Sequence, residues 1–265
     1  MIKHLKYTLI TGASQGMGEK MAHECAMLER NVLLISLPNE EVEKIALEIA
    51  AKYKVKTDFF ECDLTNKESP ENIFKWTQKN GFKVNFLINN AGFGGVGPFE
   101  DYSFEYINRM LDLNIRATTN LTHFFIPELK KHAPSNILNS ASMIANFPCP
   151  YKTIYAATKV YVKSFTRALR EELKPFNVNV SVLQPGATPT NKVVRDQIKS
   201  GGFFFRISVT NVEQVARKAI KRTLKGKAVI VPGFKNRVSL KAIKLFPMPL
   251  LQKIIAARTK SIQKP

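Results

Sequence analysis

Seven short apolar runs recur along the chain, at Tyr7 to Thr11, Val32 to Ser36, Thr57 to Cys62, Phe86 to Asn89, Asn136 to Ser140, Val178 to Leu183 and Ala228 to Val231, and helical patterns separate them. A strand returns parallel to its predecessor only through a crossover, and that crossover is right-handed. The alternation therefore predicts an α/β fold, a doubly wound, mostly parallel seven-stranded sheet with helices on both faces. Length permits one core, since α/β domains of ~200 to 250 residues are common and this chain has 265. Its hydrophobic share of 45% is enough to fill that core, and neither a linker nor an internal repeat divides it. One domain is expected over residues 1–234, followed by a basic, amphipathic extension over 235–265.

The first run leads straight into Thr-Gly-Ala-Ser-Gln-Gly-Met-Gly at residues 11–18 and then into a helical pattern from Glu19 to Leu28. In such a strand–loop–helix unit Gly12 permits the tight turn and Gly16 lets the backbone approach a pyrophosphate. Gly18 lets the helix pack near the sheet while its N-terminal amides face the phosphates. Ser14, Gln15 and Met17 complete the loop. The spacing Gly-x-x-x-Gly-x-Gly differs from the commoner Gly-x-Gly-x-x-Gly arrangement.

A second constellation carries chemistry. Tyr155 and Lys159 stand four residues apart, on one face of a helix, with Ser142 thirteen residues upstream. A free phenol titrates near ~10 and is a poor proton donor or acceptor at neutral pH unless a cation favours its phenolate. Lys159 is placed to be that cation. A serine hydroxyl at the same point could hold a carbonyl oxygen while the tyrosine exchanges a proton with it. Taken alone, the Tyr-x-x-x-Lys spacing equally fits an amphipathic helix with a half-buried tyrosine.

Further motifs follow in order. Asp63-Leu64 comes after the third run, Asn89-Asn90-Ala91-Gly92 after the fourth, Asn114 stands in Leu-Asn-Ile, and Pro185-Gly186 precedes Thr188 and Thr190. With the glycine loop and the Ser142, Tyr155, Lys159 set, they make the chain resemble the short-chain dehydrogenase/reductase family, in its compact single-domain branch, across residues 5 to 233. The resemblance implies a Rossmann-type domain that transfers a hydride between a nicotinamide cofactor and a carbonyl or secondary alcohol. It implies that Asp63, with Leu64, contacts the adenine side, and that Asn90, Ala91 and Gly92 support the cofactor edge. Lys159 would also hold the nicotinamide ribose, Asn114 would anchor a water in a proton relay, and Pro185, Gly186, Thr188 and Thr190 would border the nicotinamide. It further implies a homodimer or homotetramer. A rival reading is a non-catalytic protein that uses the same fold to sense nicotinamide nucleotides or to scaffold a complex; such a sensor would need only the cofactor motifs.

The end of the second run, Ser36-Leu37-Pro38-Asn39, carries neither acid nor base. No aspartate at Ser36 repels a 2′-phosphate, yet no arginine at Leu37 or base at Gln15 attracts one, and Glu40 and Glu41 weigh against it. NADP(H) is the expected cofactor, with Ser36 and Asn39 as neutral donors, and NAD(H) is the alternative. Cys25, Cys62 and Cys149 are odd in number and lack metal-like spacing, which fits a reducing, cytoplasmic compartment, with Cys25 and Cys62 read as small core residues. His4, His23, His123 and His132 are scattered, so no metal is expected. Met1 to Lys6 leads directly into the first strand and reads as structure rather than as a removable leader.

Charge is uneven. From Lys192 onward 18 Lys and Arg face only Asp196 and Glu213, which is +16 of the chain's +19. Part of this is the solvated face of a predicted helix from Val212 to Leu224. The tail from Lys235 mixes Leu240, Ile243, Phe246, Leu250 and Ile254 with lysines, and its apolar run is too interrupted to span a bilayer. Two readings stay open, a peripheral helix on anionic lipid and packing against the domain or a second subunit; nucleic-acid binding ranks last because no stacking platform is present. Gly201-Gly202-Phe203-Phe204-Phe205 reads as a lid over an apolar pocket walled by Phe93, Met143 and Phe147. An apolar ketone or aldehyde is the expected substrate.

Overall fold

Each of the seven runs forms a strand in the computed structural model, which describes residues 6–190, 209–243 and 246–260. The strands are β1 (Lys6–Thr11), β2 (Asn31–Ser36), β3 (Thr57–Glu61), β4 (Lys83–Asn89), β5 (Ser135–Ser140), β6 (Val178–Leu183) and β7 (Val229–Ile230). They form one sheet in the order β3-β2-β1-β4-β5-β6-β7, and every pairing is parallel. The order reverses between β1 and β4, and that reversal opens a crevice at the C-terminal edge where ligands bind in sheets of this kind.

Helices α1 (Gly16–Met27), α2 (Val42–Tyr53), α3 (Ser69–Lys79), α4 (Phe104–Leu111), α5 (Thr118–Lys131), α6 (Thr153–Leu173) and α7 (Val212–Leu224) flank the sheet, and α8 (Phe234–Ile243) and α9 (Met248–Lys260) follow it. Successive strand residues point to opposite faces, so the apolar runs feed two cores. Ile10, Leu34, Ile88 and Leu138 pack with Met21 and Cys25 of α1, Ile49 of α2 and Val215 and Ile220 of α7. Their neighbours Leu9, Leu33, Leu87 and Ile137 pack with Ile73 of α3, Leu121, Phe125 and Leu129 of α5 and Leu169 of α6. The parallel sheet is thus covered on both sides, which is why its strands read as unbroken apolar runs rather than as alternating ones.

Two local features aim residues at the crevice. Between α4 and α5 the chain makes a π-helical turn, Asp112–Ala117, with Asn114 buried inside it; the extra residue per turn rotates a side chain out of ordinary helical register. Below the C-terminal ends of β4 and β5, Asn89 donates to Asn139 (2.8 Å) and to Thr122 (3.0 Å), and Asn139 donates to Thr166 (3.0 Å). These buried bonds tie both strands to α5 and α6. The expected lid at 201–205 lies outside the described residues.

Candidate active site

β1 ends in Thr11, whose hydroxyl oxygen accepts from the backbone amides of Asn90 (2.9 Å) and Ala91 (3.0 Å). Asn90 returns the contact by donating its side-chain amide to the carbonyls of Thr11 (3.1 Å) and Gly12 (3.3 Å). Asn90 therefore acts as a strut between the glycine loop and β4, not as a free donor. Gly12 and Gly16 both sit at positive φ, at 63° and 61°, the left-handed region that favours glycine. A Cβ on Gly18 would lie 1.9 Å from the Gly12 carbonyl oxygen, so only glycine lets α1 enter this close under the loop.

The residues fit a dinucleotide. Gln15, extended at the N-cap of α1, makes no side-chain capping bond, leaving first-turn amides available to an anion. Gly16 faces Thr190, whose Cβ would lie 2.9 Å from an added Cβ, so the 185–190 strap closes over the loop. Met17 turns partly into the core. Within the strap the Thr188 hydroxyl donates to the Gly186 carbonyl (3.1 Å), and the Pro185 carbonyl accepts from Met143 N (3.0 Å). Asp63 uses one carboxylate oxygen to accept from Thr65 N (2.9 Å) and the Thr65 hydroxyl (2.8 Å). The Leu64 side chain is core, so only its backbone can border a ligand.

The adenosine end differs from expectation. Ser36 is buried and its hydroxyl donates to the Leu37 carbonyl (2.9 Å), so it is already engaged and not the outward neutral donor expected from sequence. Asn39 donates its backbone amide to a Glu61 carboxylate oxygen (3.2 Å), and the Ser14 hydroxyl donates to Glu40. Two carboxylates thus stand where the ends of β2 and β3 meet the glycine loop.

The second constellation converges as its spacing predicts. Ser142 caps a short turn, Met143–Asn146, where its hydroxyl oxygen accepts from Ile144 N (3.3 Å), and its hydroxyl is near enough to the Tyr155 phenol to favour the phenolate. One helical turn along α6, Lys159 is buried and donates to the Ser140 carbonyl (3.0 Å), its ammonium 5.7 Å from the Tyr155 ring centroid. Burial pushes the lysine down to about 8. Burial also pushes the Tyr155 phenol up, and Ser142 opposes that rise. Loss of solvent, rather than the phenolate-favouring effect expected of Lys159, sets the direction for both groups, because desolvation disfavours either charge.

Asn114 is locked behind this pair. Its side-chain amide donates to the Phe93 carbonyl (2.9 Å) and the Thr158 hydroxyl (3.0 Å), and its carbonyl accepts from Phe93 N (3.1 Å). Thr158 in turn donates to the Tyr155 carbonyl (2.8 Å). Gly92 is the meeting point, since an added Cβ would lie 2.8 Å from the Asn114 carbonyl oxygen and 3.1 Å from the Lys159 ammonium.

Sequence reasoning missed four contributors. Gly94 lies against the tyrosine, with an added Cβ only 2.5 Å from its ring; the Gly94-Gly95 pair just after β4 was the available signal. Thr11 and Thr158 act through hydroxyls that no spacing rule marks. Lys163 donates to the Ala145 carbonyl (3.2 Å) and to the Asn146 side chain (2.8 Å), bracing the turn that carries Ser142. Across Gly95, Tyr102 and Tyr106 stack at 5.2 Å and Phe93 meets Tyr106 edge-on at 5.4 Å, while Met143 is buried nearby in the Ser142 turn. Cys25 and Cys62, pushed by burial to about 12 and about 11, are unreactive packing residues as expected.

Comparison with known proteins agrees with this geometry. The family model for short chain dehydrogenase matches residues 6–199. An 11-beta-hydroxysteroid dehydrogenase-like 3 protein of Arabidopsis thaliana is 30% identical over 226 residues, 85% of this chain and 72% of that protein. A very-long-chain 3-oxoacyl-CoA reductase of Homo sapiens is 28% identical over 186 residues, 68% of this chain and 58% of that protein. Among solved structures, a 7beta-hydroxysteroid dehydrogenase superposes with a TM-score of 0.85 at 22% identity, covering 96% of this chain and 97% of its own. A short-chain dehydrogenase from Sphingobium yanoikuyae in complex with NADPH superposes with a TM-score of 0.79 at 25% identity, covering 93% and 95%.

Two outcomes follow from the packing around Tyr155. Gly94→Ala should push the ring aside and lower kcat on a carbonyl substrate by about 10²-fold, the usual result of an ångström-scale misplacement, with nucleotide affinity retained; steady-state kinetics check it. Lys159 is charged in both folded and unfolded chains below about pH 8, where the fold bears the whole cost of burying it, and neutral in both above its ordinary 10.5. Its contribution to stability therefore rises with pH between those values. Lys159→Met should melt higher than the parent at pH 7, by at most roughly 3 kcal/mol, and the gap should close towards pH 10. Melting curves of both proteins across that range test the sign.

Proposed function

The chain belongs to the short-chain dehydrogenase family, and from that premise we propose that it is a nicotinamide-dependent oxidoreductase that reduces an apolar ketone or aldehyde. The observation that carries this reading is the buried Lys159, held by the Ser140 carbonyl one helical turn from Tyr155, with Ser142 beside the phenol. The glycine loop with Gly12, Gly16 and Gly18, the edge at Gly92 and the 185–190 strap would hold the dinucleotide, which supplies the hydride when bound. Ser142 orients the carbonyl oxygen, and the Tyr155 phenol donates the proton to it as it becomes an alkoxide. A phenol held above its ordinary value stays protonated at neutral pH, the state that reduction needs. Lys159 supplies the charge that steadies the phenolate left behind, and Asn114 fixes the Phe93 and Thr158 segments on either side.

A nucleotide sensor or scaffold is the weaker reading. A sensor has no use for a buried ammonium that costs stability, nor for the Asn114–Thr158–Tyr155 chain. The aromatic wall of Phe93, Tyr102 and Tyr106 favours an apolar substrate, as do the hydroxysteroid and very-long-chain acyl substrates in the names of the relatives. NADP(H) is the favoured cofactor, supported by the NADPH complex of the Sphingobium yanoikuyae relative and by the absence of a carboxylate at Ser36. Glu40 and Glu61 argue for NAD(H) as the alternative.

Loss of absorbance at 340 nm with NADPH, and separately NADH, against a panel of ketones and aldehydes tests the reading. Tyr155→Phe should lower kcat by at least about 10²-fold and leave nucleotide affinity essentially unchanged. Full turnover by that variant, or tight nucleotide binding with no turnover on any carbonyl, would remove the assignment. In the same assay Glu40→Gln should lower KM for NADPH about three- to tenfold relative to NADH, the worth of one nearby like charge at a partly exposed site, with kcat unchanged.

A further inference from the structure

The last 32 residues, from Phe234 onward, contain eight Lys and Arg and no Asp or Glu. Their described part does not bury its apolar side chains in the ordinary way. Asn236 anchors α8, donating to the Thr210 hydroxyl (3.0 Å) and the Pro232 carbonyl (3.0 Å), and with Leu240 and Ile243 it forms the inward face of that helix. On the opposite face Phe234 and Val238, one turn apart, are 72% and 49% exposed. The same division recurs in α9, where Leu251 is buried while Leu250 and Ile254 are exposed. From the turn before α9 into its first turn, Phe246, Pro247, Met248, Pro249 and Leu250 are five successive exposed apolar residues. A run of that length on a surface is unfavourable in water unless something covers it.

We propose that α8, the 246–250 segment and α9 form a surface that docks on an anionic lipid bilayer. The occupant follows from the charge around the apolar residues. Lys235, Lys241 and Lys253 are exposed beside them, and the Arg237 guanidinium lies 5.9 Å from the Phe234 ring centroid. Apolar side chains entering the headgroup boundary with basic residues at the rim are the two signals that interfacial binding combines. A second copy docking through the same face would be isologous, and would bring these cations together with no carboxylate from this segment to pair them. Nucleic acid would meet the cations but gives aliphatic Leu250 and Ile254 no partner. Among the described residues no helix is long and apolar enough to cross a membrane, so the contact is peripheral. α8 also packs against the Met143–Asn146 turn that carries Ser142, so docking brings the catalytic edge of the sheet close to the lipid.

Flotation of the full chain with vesicles tests this, using phosphatidylcholine alone and phosphatidylcholine containing phosphatidylserine, at low and physiological salt. The protein should float with the phosphatidylserine vesicles, more weakly as salt rises, and not with phosphatidylcholine alone. The triple variant Lys235→Gln, Lys241→Gln, Lys253→Gln should lose about 100-fold in partition, at about fivefold per cation. Phe234→Ser, Leu250→Asn, Ile254→Asn should lose binding even at low salt. All six side chains are exposed, so melting curves should match the parent and exclude misfolding. Failure of the parent to float overturns the proposal, as does binding that the apolar variant retains, which would be adsorption of a basic protein and no more. A parent dimer that the apolar variant converts to monomer, or DNA binding that the same variant abolishes, would assign the face to another occupant and overturn it equally.

Discussion

The site hangs on the seam where β1 meets β4. There the strand order reverses, and a few hydrogen bonds hold the two strand ends in register with the glycine loop. Thr11 accepts two backbone amides from the next strand's exit, and Asn90 returns two bonds to the carbonyls of Thr11 and Gly12. Asn90 also accepts from Ser140 at the end of β5 (3.4 Å), whose carbonyl receives the Lys159 ammonium. The glycine loop and the Lys159 ammonium are therefore joined along one connected edge. A shift of the glycine loop would be felt at Lys159 through two side chains.

That connection carries an energetic tension. Ordinary packing would exclude an ammonium from the interior, because burial disfavours its charge. The fold keeps Lys159 with one carbonyl bond and Tyr155 beside Ser142, each inside a protein environment that opposes its charged form. Local stability yields to function at such places. The compensation lies close by, in the buried Asn89, Asn139, Thr122 and Thr166 bonds beneath the site and in the two apolar layers that cover the sheet.

The sheet was legible because burial on both faces forces continuous apolar runs. All seven strands overlap their predicted runs, and α7 has the predicted limits of Val212 and Leu224. The glycine loop and the Tyr155–Lys159 pair were legible for a related reason: a positive φ and one helical turn are constraints that single residues express. What stayed hidden depends on partners far apart in sequence. Nothing near Ser36 says that its hydroxyl will turn to Leu37, and nothing near Gly94 says that a tyrosine ring 61 positions later will lie against it. The π-helical turn at Asn114 is likewise invisible to a pattern that assumes 3.6 residues per turn.

Cofactor choice is the point where the hidden contacts matter most. Sequence directs attention to Ser36, the position from which a carboxylate would face a ribose. In the fold that residue is buried and engaged, and the carboxylate of Glu40 reaches the glycine loop from four residues beyond, held by Ser14. A ribose 2′-hydroxyl could replace Ser14 as the donor to Glu40 without leaving either group unpaired. A 2′-phosphate brings charge of the same sign and would need Glu40 to turn away or take up a proton. Ser14 would then be released to donate to the phosphate instead. The Ser14–Glu40 bond, a contact between two loops, therefore bears on the proposed nucleotide preference alongside the residue that ends β2.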